Sequence, residues 1–280
     1  MTEISKKQTL IIGIILLILG MLIFGTVFAL RFRPKKEAEP TPLPEPQVPT
    51  KTVDEIPPAQ RPYIGLIPSE DGHWLTLFID NVADAKTIEY ELIYETAGPT
   101  QGAIGTIDLS VRTPPIEEKI LLGTESRGKF KYDEGVEKGK LDLVFREPSQ
   151  DIKYHTEFHL QAAAQAKNTL KSLDEKFSFH SKTNLPAGFY LSLHTIGLPK
   201  TPEGEIVIGP YGIFTNQTPK LTGQVSFSLL NPPPKAKIYG WDKNINELKE
   251  YSAGLNISQN SISADVGQLT AFIVVTPPAQ

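Results

Sequence analysis

The sequence predicts a mainly β protein: two antiparallel β-sandwich domains that follow an N-terminal transmembrane helix and a proline-rich linker. Three observations predict this class. An uncharged run of 22 residues lies near the start of the chain, a dense group of prolines follows it, and apolar and polar side chains alternate through most of the remainder. A period of two is typical of strands, because successive side chains point to opposite faces of a sheet.

After a short tail (residues 1–8), residues 9–30 are predicted to form a transmembrane helix, which makes the lipid bilayer the first predicted partner. This segment contains no charged residue. Twenty-two helical residues measure about 33 Å, enough to cross a hydrocarbon core of about 30 Å. A cleaved signal peptide is the alternative. Its apolar core would be only about 7–15 residues long, so the length favours a retained anchor.

The predicted orientation is membrane-anchored with the body outside the cell. Two basic residues precede the span and four follow it closely, and by the positive-inside rule this favours a cytoplasmic body. Long domains cross membranes largely regardless of charge, however, and the following segment is typical of an extracellular stalk. A membrane-tethered cytoplasmic scaffold remains the alternative.

Residues 31–61 are predicted to be a proline-rich stalk. Nine of the 29 residues from Pro34 to Pro62 are proline. Proline fixes φ and lacks an amide donor, so neither helix nor sheet propagates through such a segment. An extended polyproline conformation is expected, which would act as a spacer.

The body is predicted to contain one sandwich over residues 62–162 and a second over residues 172–276, with a connector at 163–171 and a tail at 277–280. Alternation is clear in "TIEYELIY", where Ile88, Tyr90, Leu92 and Tyr94 share one face. Turn signals such as Asp-Gly and Lys-Gly recur at short intervals. The connector is placed at the alanine-rich stretch "QAAAQAKNTLKSL", which interrupts this pattern.

Composition excludes several function classes. The chain has no cysteine, which rules out disulfides, thiolate metal sites and a cysteine nucleophile. Residues 1–36 hold six basic side chains and one acid, so the rest, with 22 basic and 31 acidic residues, has a net charge of −9. An acidic body is repelled by phosphate backbones, so no nucleic acid is expected as a partner.

Residues 209–275 carry signals in an order that resembles the end of a ZU5-like β-sandwich in uncharacterised bacterial single-span surface proteins. The signals are "GPYGIF" (Gly209, Pro210, Gly212 and Phe214), an alternating strand at 225–229, and "YGWD" (Tyr239, Trp241 and Asp242). A closing strand pair follows at 261–266 and 270–275. The resemblance implies a fold and a surface setting. It implies no chemistry, because a fold does not determine a function.

Three side chains form the sharpest candidate site. His155, Glu157 and His159 lie at i, i+2 and i+4 of a predicted strand and therefore share one face. Two imidazoles and a carboxylate are competent zinc ligands, so an envelope metal-binding module or enzyme is one functional hypothesis. The alternative is a solvated polar face.

Tyr239 and Trp241 share a strand face as well and form a candidate binding surface for a protein or glycan. A role in packing beneath a loop is the alternative.

The sequence contains no recognised catalytic motif, and no cofactor is implied. The predicted function is therefore structural, adhesive or partner-binding at the cell surface.

Overall fold

A computed structural model of the protein describes residues 49–217, 221–256 and 259–278. The chain divides into two units, Met1–Gln47 and Val48–Gln280, and the second is a single compact unit. The predicted N-terminal tail, the predicted span and the first part of the predicted stalk lie outside the described residues. Within those residues, no helix is long and apolar enough to cross a membrane.

The described part of the chain is mainly β, as predicted. Two 3-10 turns (Val53–Glu55 and Pro58–Gln60) and a single helical turn, α1 (Ala163–Ala166), accompany the strands. The strands are β1 (Thr50–Lys51), β2 (Tyr63–Pro68), β3 (Trp74–Asp80), β4 (Thr87–Tyr94), β5 (Gln101–Asp108), β6 (Ile116–Leu121), β7 (Gly123–Ser126), β8 (Lys129–Tyr132), β9 (Lys138–Arg146), β10 (Asp151–Ala162), β11 (Thr169–Lys171), β12 (Phe177–Ser181), β13 (Phe189–His194), β14 (Glu205–Phe214), β15 (Gly223–Ser228), β16 (Lys237–Asp242), β17 (Glu247–Tyr251), β18 (Ala253–Asn256), β19 (Ser261–Val266) and β20 (Ala271–Thr276).

One large sheet organises the body. Its strand order is β17-β16-β20-β14-β13-β10-β9-β4-β5, and β1 adds to β10 in parallel. Three smaller sheets accompany it: β2-β3-β6, β11-β12-β15-β19-β18 and the hairpin β7-β8. Alternation on these strands fixes which side chains face a core, as on β3, where Leu75, Leu77 and Ile79 are buried.

The two larger covering sheets pack against opposite faces of the large sheet. Phe158 on β10 pairs with Leu193 on β13, and both belong to the first core, beneath β2-β3-β6. Further along the same pairing Leu160 pairs with Leu191, also of the first core, and at the position after it Gln161 pairs with Tyr190, whose ring belongs to the second core, beneath the five-stranded sheet. Since neighbouring positions on a strand point to opposite faces, the two cores lie on the two sides of one sheet.

Strand β13 is therefore buried on both faces. Tyr190, Leu191, Ser192 and Leu193 are all at most 2% exposed. A strand with both faces covered reads as a continuous apolar run, and "FYLSL" fits that description. This strand joins the half of the sheet that faces the first core to the half that faces the second.

A third apolar cluster closes the second half of the sheet on its other side. It joins Trp241 of β16 and Ala271, Ile273 and Val275 of β20 to Tyr63 of β2. Tyr63 packs edge-on against Phe78 of β3 at a ring-centroid distance of 5.7 Å. Elements from both halves of the chain therefore meet in one cluster.

The structure differs from the sequence prediction in how the two halves are joined. The sequence predicts separate sandwiches on either side of residues 163–171, whereas the large sheet continues across this segment through the β10–β13 pairing. The local pattern could not show this, because a strand pairs with a partner that sequence periodicity does not identify. Similarly, the predicted closing strand pair is divided between sheets: β19 pairs with β15 and β18, and β20 with β14 and β16.

The end of the predicted stalk also belongs to the folded body. Thr50 and Lys51 pair with β10, and Ile56 is 5% exposed within the first core. The side chain of Glu55 accepts a hydrogen bond from the Thr52 amide at 2.8 Å, which caps the first 3-10 turn. The prolines of this segment are therefore accommodated in turns against the body, and an extended spacer could involve only the residues before it.

A shared sheet predicts a single unfolding transition. We expect Leu193→Ala to lower the free energy of unfolding by about 2–5 kcal/mol, because it removes a fully buried side chain. We expect the same midpoint from probes in both halves, measured by denaturant titration of residues 48–280. The control, Leu230→Ala, removes a side chain that is 76% exposed and should change little. Two separated transitions would show instead that the halves fold independently.

Candidate functional site

The three predicted metal ligands lie on the open face of the first half of the large sheet. His155, Glu157 and His159 alternate with the buried side chains of β10, as the sequence predicts. They do not converge. The Nδ1 atom of His155 lies 2.6 Å from Oδ1 of Asp142 on β9, and Nδ1 of His159 lies 2.9 Å from the Lys171 carbonyl oxygen.

The neighbouring strand brings a cation to this face. Lys140 of β9 lies opposite Glu157 in the register, and its Nζ is 3.3 Å from Asp142. A fixed ammonium beside these carboxylates opposes a divalent cation at the same place. In the described ranges no group of three or more His, Asp or Glu side chains is placed to hold a metal ion. Metal binding by the three residues stays a prediction that the geometry does not favour.

Tyr239 and Trp241 share a face of β16, and both contribute to the third apolar cluster. Trp241 is 7% exposed and packs inside that cluster, and Tyr239 is half-buried against it. The Tyr239 hydroxyl donates to Glu250 at 3.2 Å. These contacts favour the alternative that Tyr239 and Trp241 pack within the fold. The buried indole offers no open ring face to a ligand.

An open cleft of about 520 Å³ lies between the adjacent ends of β17 and β18. Its charged side chains are already paired. Glu250 binds Lys237 at 2.9 Å, Asp265 binds Lys182 at 2.8 Å, and the Lys249 ammonium lies 5.1 Å from the centroid of the Tyr251 ring. Paired charges on an open surface leave few polar groups to recognise a ligand.

A row of aromatic rings on the β7-β8 hairpin is the clearest exposed feature. Phe130 and Tyr132 are 45% and 38% exposed. Their rings are parallel within 3°, with centroids 6.2 Å apart. The ring of His73 stacks on Tyr132 at 4.1 Å, and Trp74 meets Phe130 edge-on at 5.6 Å. We call these four residues the aromatic row.

The hairpin holds the row in a defined position. Its turn residues, Arg127 and Gly128, both have positive φ, as a two-residue turn between twisted strands requires. At the base, the buried Tyr94 of the large sheet donates a hydrogen bond to Asp133 at 2.9 Å. Burial and this bond to Asp133 raise the pKa of Tyr94, so its hydroxyl stays protonated at physiological pH. The hydrogen bond that fixes the base of the hairpin is therefore kept.

The partner strand leaves the row open on one side. Glu125 lies opposite Phe130 in the register, and Gly123 lies opposite Tyr132. A side chain at Gly123 would collide with the backbone of Lys131. No cross-strand side chain therefore lies beside Tyr132, although the His73 ring stacks on one of its faces. The carboxylate of Glu125 supplies hydrogen-bond acceptors near Phe130.

Sequence reasoning missed the aromatic row. A signal was present, because "KFKY" places two aromatic side chains at i and i+2 of a short strand next to a turn. The same spacing occurs in "YGWD", where Trp241 is buried and Tyr239 is half-buried. Nothing local separates the two cases, and the contribution of His73 and Trp74 comes from a distant part of the chain.

A polar network joins the turn before β12 to strands β13 and β14. Tyr211 of β14 donates to Asp174 at 2.5 Å, and Ser172 donates to the same carboxylate at 2.6 Å. His194 packs edge-on against Tyr211 at 5.3 Å, and its Nδ1 accepts the Ile196 amide at 3.2 Å. The network ties the turn before β12 to the doubly buried strand β13.

Burial and hydrogen bonding shift the pKa values of His194 and Asp174 in this network. Loss of solvent lowers the pKa of His194 and outweighs the opposing bond to the Gly209 backbone and the charge of Asp174. Burial by itself would raise the pKa of Asp174, but hydrogen bonds from Ser172, Tyr211 and the Lys176 amide bring it below its usual value. The folded protein thus holds a neutral imidazole near a carboxylate.

No known protein-family model matches this chain, and no curated protein matches it. The resemblance of residues 209–275 to a ZU5-like domain therefore stays a prediction. The segments that carry it do form strands, with "GPYGIF" at the end of β14 and "YGWD" on β16.

Protonation of His194 should make stability depend on pH. An unfolded chain binds a proton at this histidine below about pH 6.5, its ordinary pKa, and the folded chain does so only at lower pH. The free energy of unfolding should therefore fall as pH decreases from 7 to 5, by at most about 1.4 kcal/mol per pH unit from this group.

Denaturant titrations at several pH values would measure this slope. Asp174 does not interfere, because its contribution is lost only below its ordinary pKa of 3.8. His194→Gln should flatten the slope, and His180→Gln, at an exposed histidine of β12, should leave it unchanged. An identical slope in wild type and His194→Gln would contradict the assignment.

Proposed function

We propose that this protein is a single-span, membrane-anchored surface protein whose extracytoplasmic β body binds a neutral glycan through the aromatic row. The role is adhesive rather than catalytic. Support for the anchor comes from the sequence, through the uncharged segment at residues 9–30 and the prolines that follow it. Support for binding comes from the exposed, parallel rings of Phe130 and Tyr132.

The chemistry of the row fits a sugar. Aromatic rings offer a flat apolar surface with a negative face, and the C–H groups on one side of a pyranose ring complement it. The sugar hydroxyls at the rim need acceptors, and Glu125 lies beside Phe130 to provide one. The Glu125 carboxylate and the net charge of −9 outside residues 1–36 disfavour anionic glycans, against the local attraction of Arg127, Lys129 and Lys131 on the same hairpin. We expect a neutral chain as the ligand.

The position of the row also suits binding. The hairpin β7-β8 forms its own two-stranded sheet, and its turn is exposed at Arg127 and Gly128. Its base is fixed to the large sheet by Tyr94 and is closed by the bond from the Asp133 amide to the carbonyl of Leu122, the residue between β6 and β7. A rigid base reduces the conformational entropy lost when the rings are covered.

Affinity electrophoresis tests this function, with the full chain in detergent and a panel of neutral polysaccharides as probes. We expect at least one polysaccharide to retard the wild type. Tyr132→Ala and Phe130→Ala should each weaken that binding about tenfold, equivalent to about 1.4 kcal/mol. Leu230→Ala, at another exposed apolar residue, is the matched control. Absence of retardation by every polysaccharide, or equal retardation of all variants, would refute glycan binding.

Protease treatment of intact cells tests the orientation separately. If the body lies outside, it is digested while a cytoplasmic marker stays intact, and a protected fragment of the membrane segment remains. Protection of the body until the cells are lysed would support the cytoplasmic scaffold instead. This result does not depend on whether the aromatic row binds a glycan.

A further inference from the structure

The free edges of the described sheets differ in how they are protected against pairing with another strand. Native edges are commonly short, charged or covered. The edge strands β11 and β18 have three and four residues. Strand β17 carries Glu247, Lys249 and Glu250, and β6 carries Glu117, Glu118 and Lys119. Strand β2 is covered by a bridge from Tyr63 to Ile196.

Strand β5 has none of these protections. It is eight residues long, contains no proline, and has one charged residue, Asp108, at its end. It pairs with β4 in unbroken register from Thr87–Asp108 to Tyr94–Gln101, so no bulge turns the edge away. It is the last strand of the large sheet on this side, and the backbone groups on its outer side have no strand partner among the described residues.

The most exposed large apolar side chain in the described part of the chain is on this strand. Ile104 is 80% exposed and lies on the open face, opposite Glu91 of β4 in the register. A β-branched residue favours a strand with a cross-strand neighbour. On the outer side of β5 that neighbour is missing.

We propose that β5 is a homodimer interface, at which a second copy of this chain adds its own β5 antiparallel to the first. In the proposed register, Ile104 of one copy lies directly opposite Ile104 of the other. Each exposed side chain then gains an apolar cross-strand neighbour. Residues 101–107 of each strand then face residues 107–101 of its partner. Residues 101–107 contain no charged side chain, so the pairing brings no like charges together.

The geometry selects a second copy as the occupant. An antiparallel pair of identical strands is related by a two-fold axis through Ile104, so both copies use the same surface and the assembly closes at two. The proline-rich residues that precede the body are unsuited to this edge, because proline cannot donate to a ladder. The opposite edge of the sheet, β17, is charged, which disfavours further growth from the dimer.

Disulfide cross-linking tests the register. The chain has no cysteine, so one introduced thiol is the only one present. Directly opposite residues of antiparallel strands have Cα atoms about 4.5–5.5 Å apart, within reach of a disulfide. In membranes from cells expressing the full chain, Ile104→Cys should give a dimer under mild oxidation.

Two matched variants control for chance collisions. Thr106→Cys lies on the same strand and face, but in the proposed register its copies are about 13 Å apart, so it should cross-link at least tenfold less. Leu230→Cys is 76% exposed on another part of the body and should behave in the same way. Equal cross-linking at all three positions, or stronger cross-linking at Thr106, would overturn the proposal.

A mass measurement gives an independent result. The wild-type full chain in mild detergent should be a dimer, Ile104→Lys should be a monomer because it places two ammonium groups opposite each other, and Leu230→Lys should remain a dimer. A monomeric wild type, or a dimer that persists in Ile104→Lys, would refute the interface. Unchanged thermal unfolding of Ile104→Lys would show that the fold is intact, as its exposure predicts.

Discussion

Burial of β13 on both faces is the constraint on which the rest of the body depends. Leu191 and Leu193 complete the first core, and Tyr190 completes the second, so one strand of six residues carries contacts to both covering sheets. Separating the two halves would expose both sets of side chains at once. Exposing apolar surface costs about 25 cal/mol for each Å². Exposing both sets of side chains would therefore cost a large part of the free energy of unfolding of an ordinary domain.

The opposite placement of the two cores decides which surfaces remain free. On the first half of the sheet one face is covered and the other is open, and the open face carries charged side chains in pairs. Arg146 binds both Glu89 and Asp151 there, and Lys140 binds Asp142. An exposed pair such as Lys140–Asp142 adds little stability. These pairs keep the face soluble, and the features left for recognition are the aromatic row and the edge β5.

Several features were predictable from sequence because they depend on neighbours along the chain. The alternation in "TIEYELIY" predicts that Ile88, Tyr90, Leu92 and Tyr94 share a face, and all four contribute to the first core. Likewise, His155, Glu157 and His159 share the face predicted for them. What these side chains meet was not predictable, since Asp142 and Lys140 come from β9, and pairing partners follow from register rather than from local pattern.

The sequence by itself determined the mainly β class, the face on which each strand residue lies, and the absence of thiol chemistry, because these follow from backbone geometry and composition. Tertiary structure decided the continuity of the large sheet, the docking of residues 50–61, and which aromatic pairs are exposed. "YGWD" and "KFKY" place aromatic side chains at the same spacing, yet Trp241 is buried and Phe130 is not. The difference arises because Trp241 packs in one cluster with Tyr63 and with side chains of β20, and only folding brings those distant segments together.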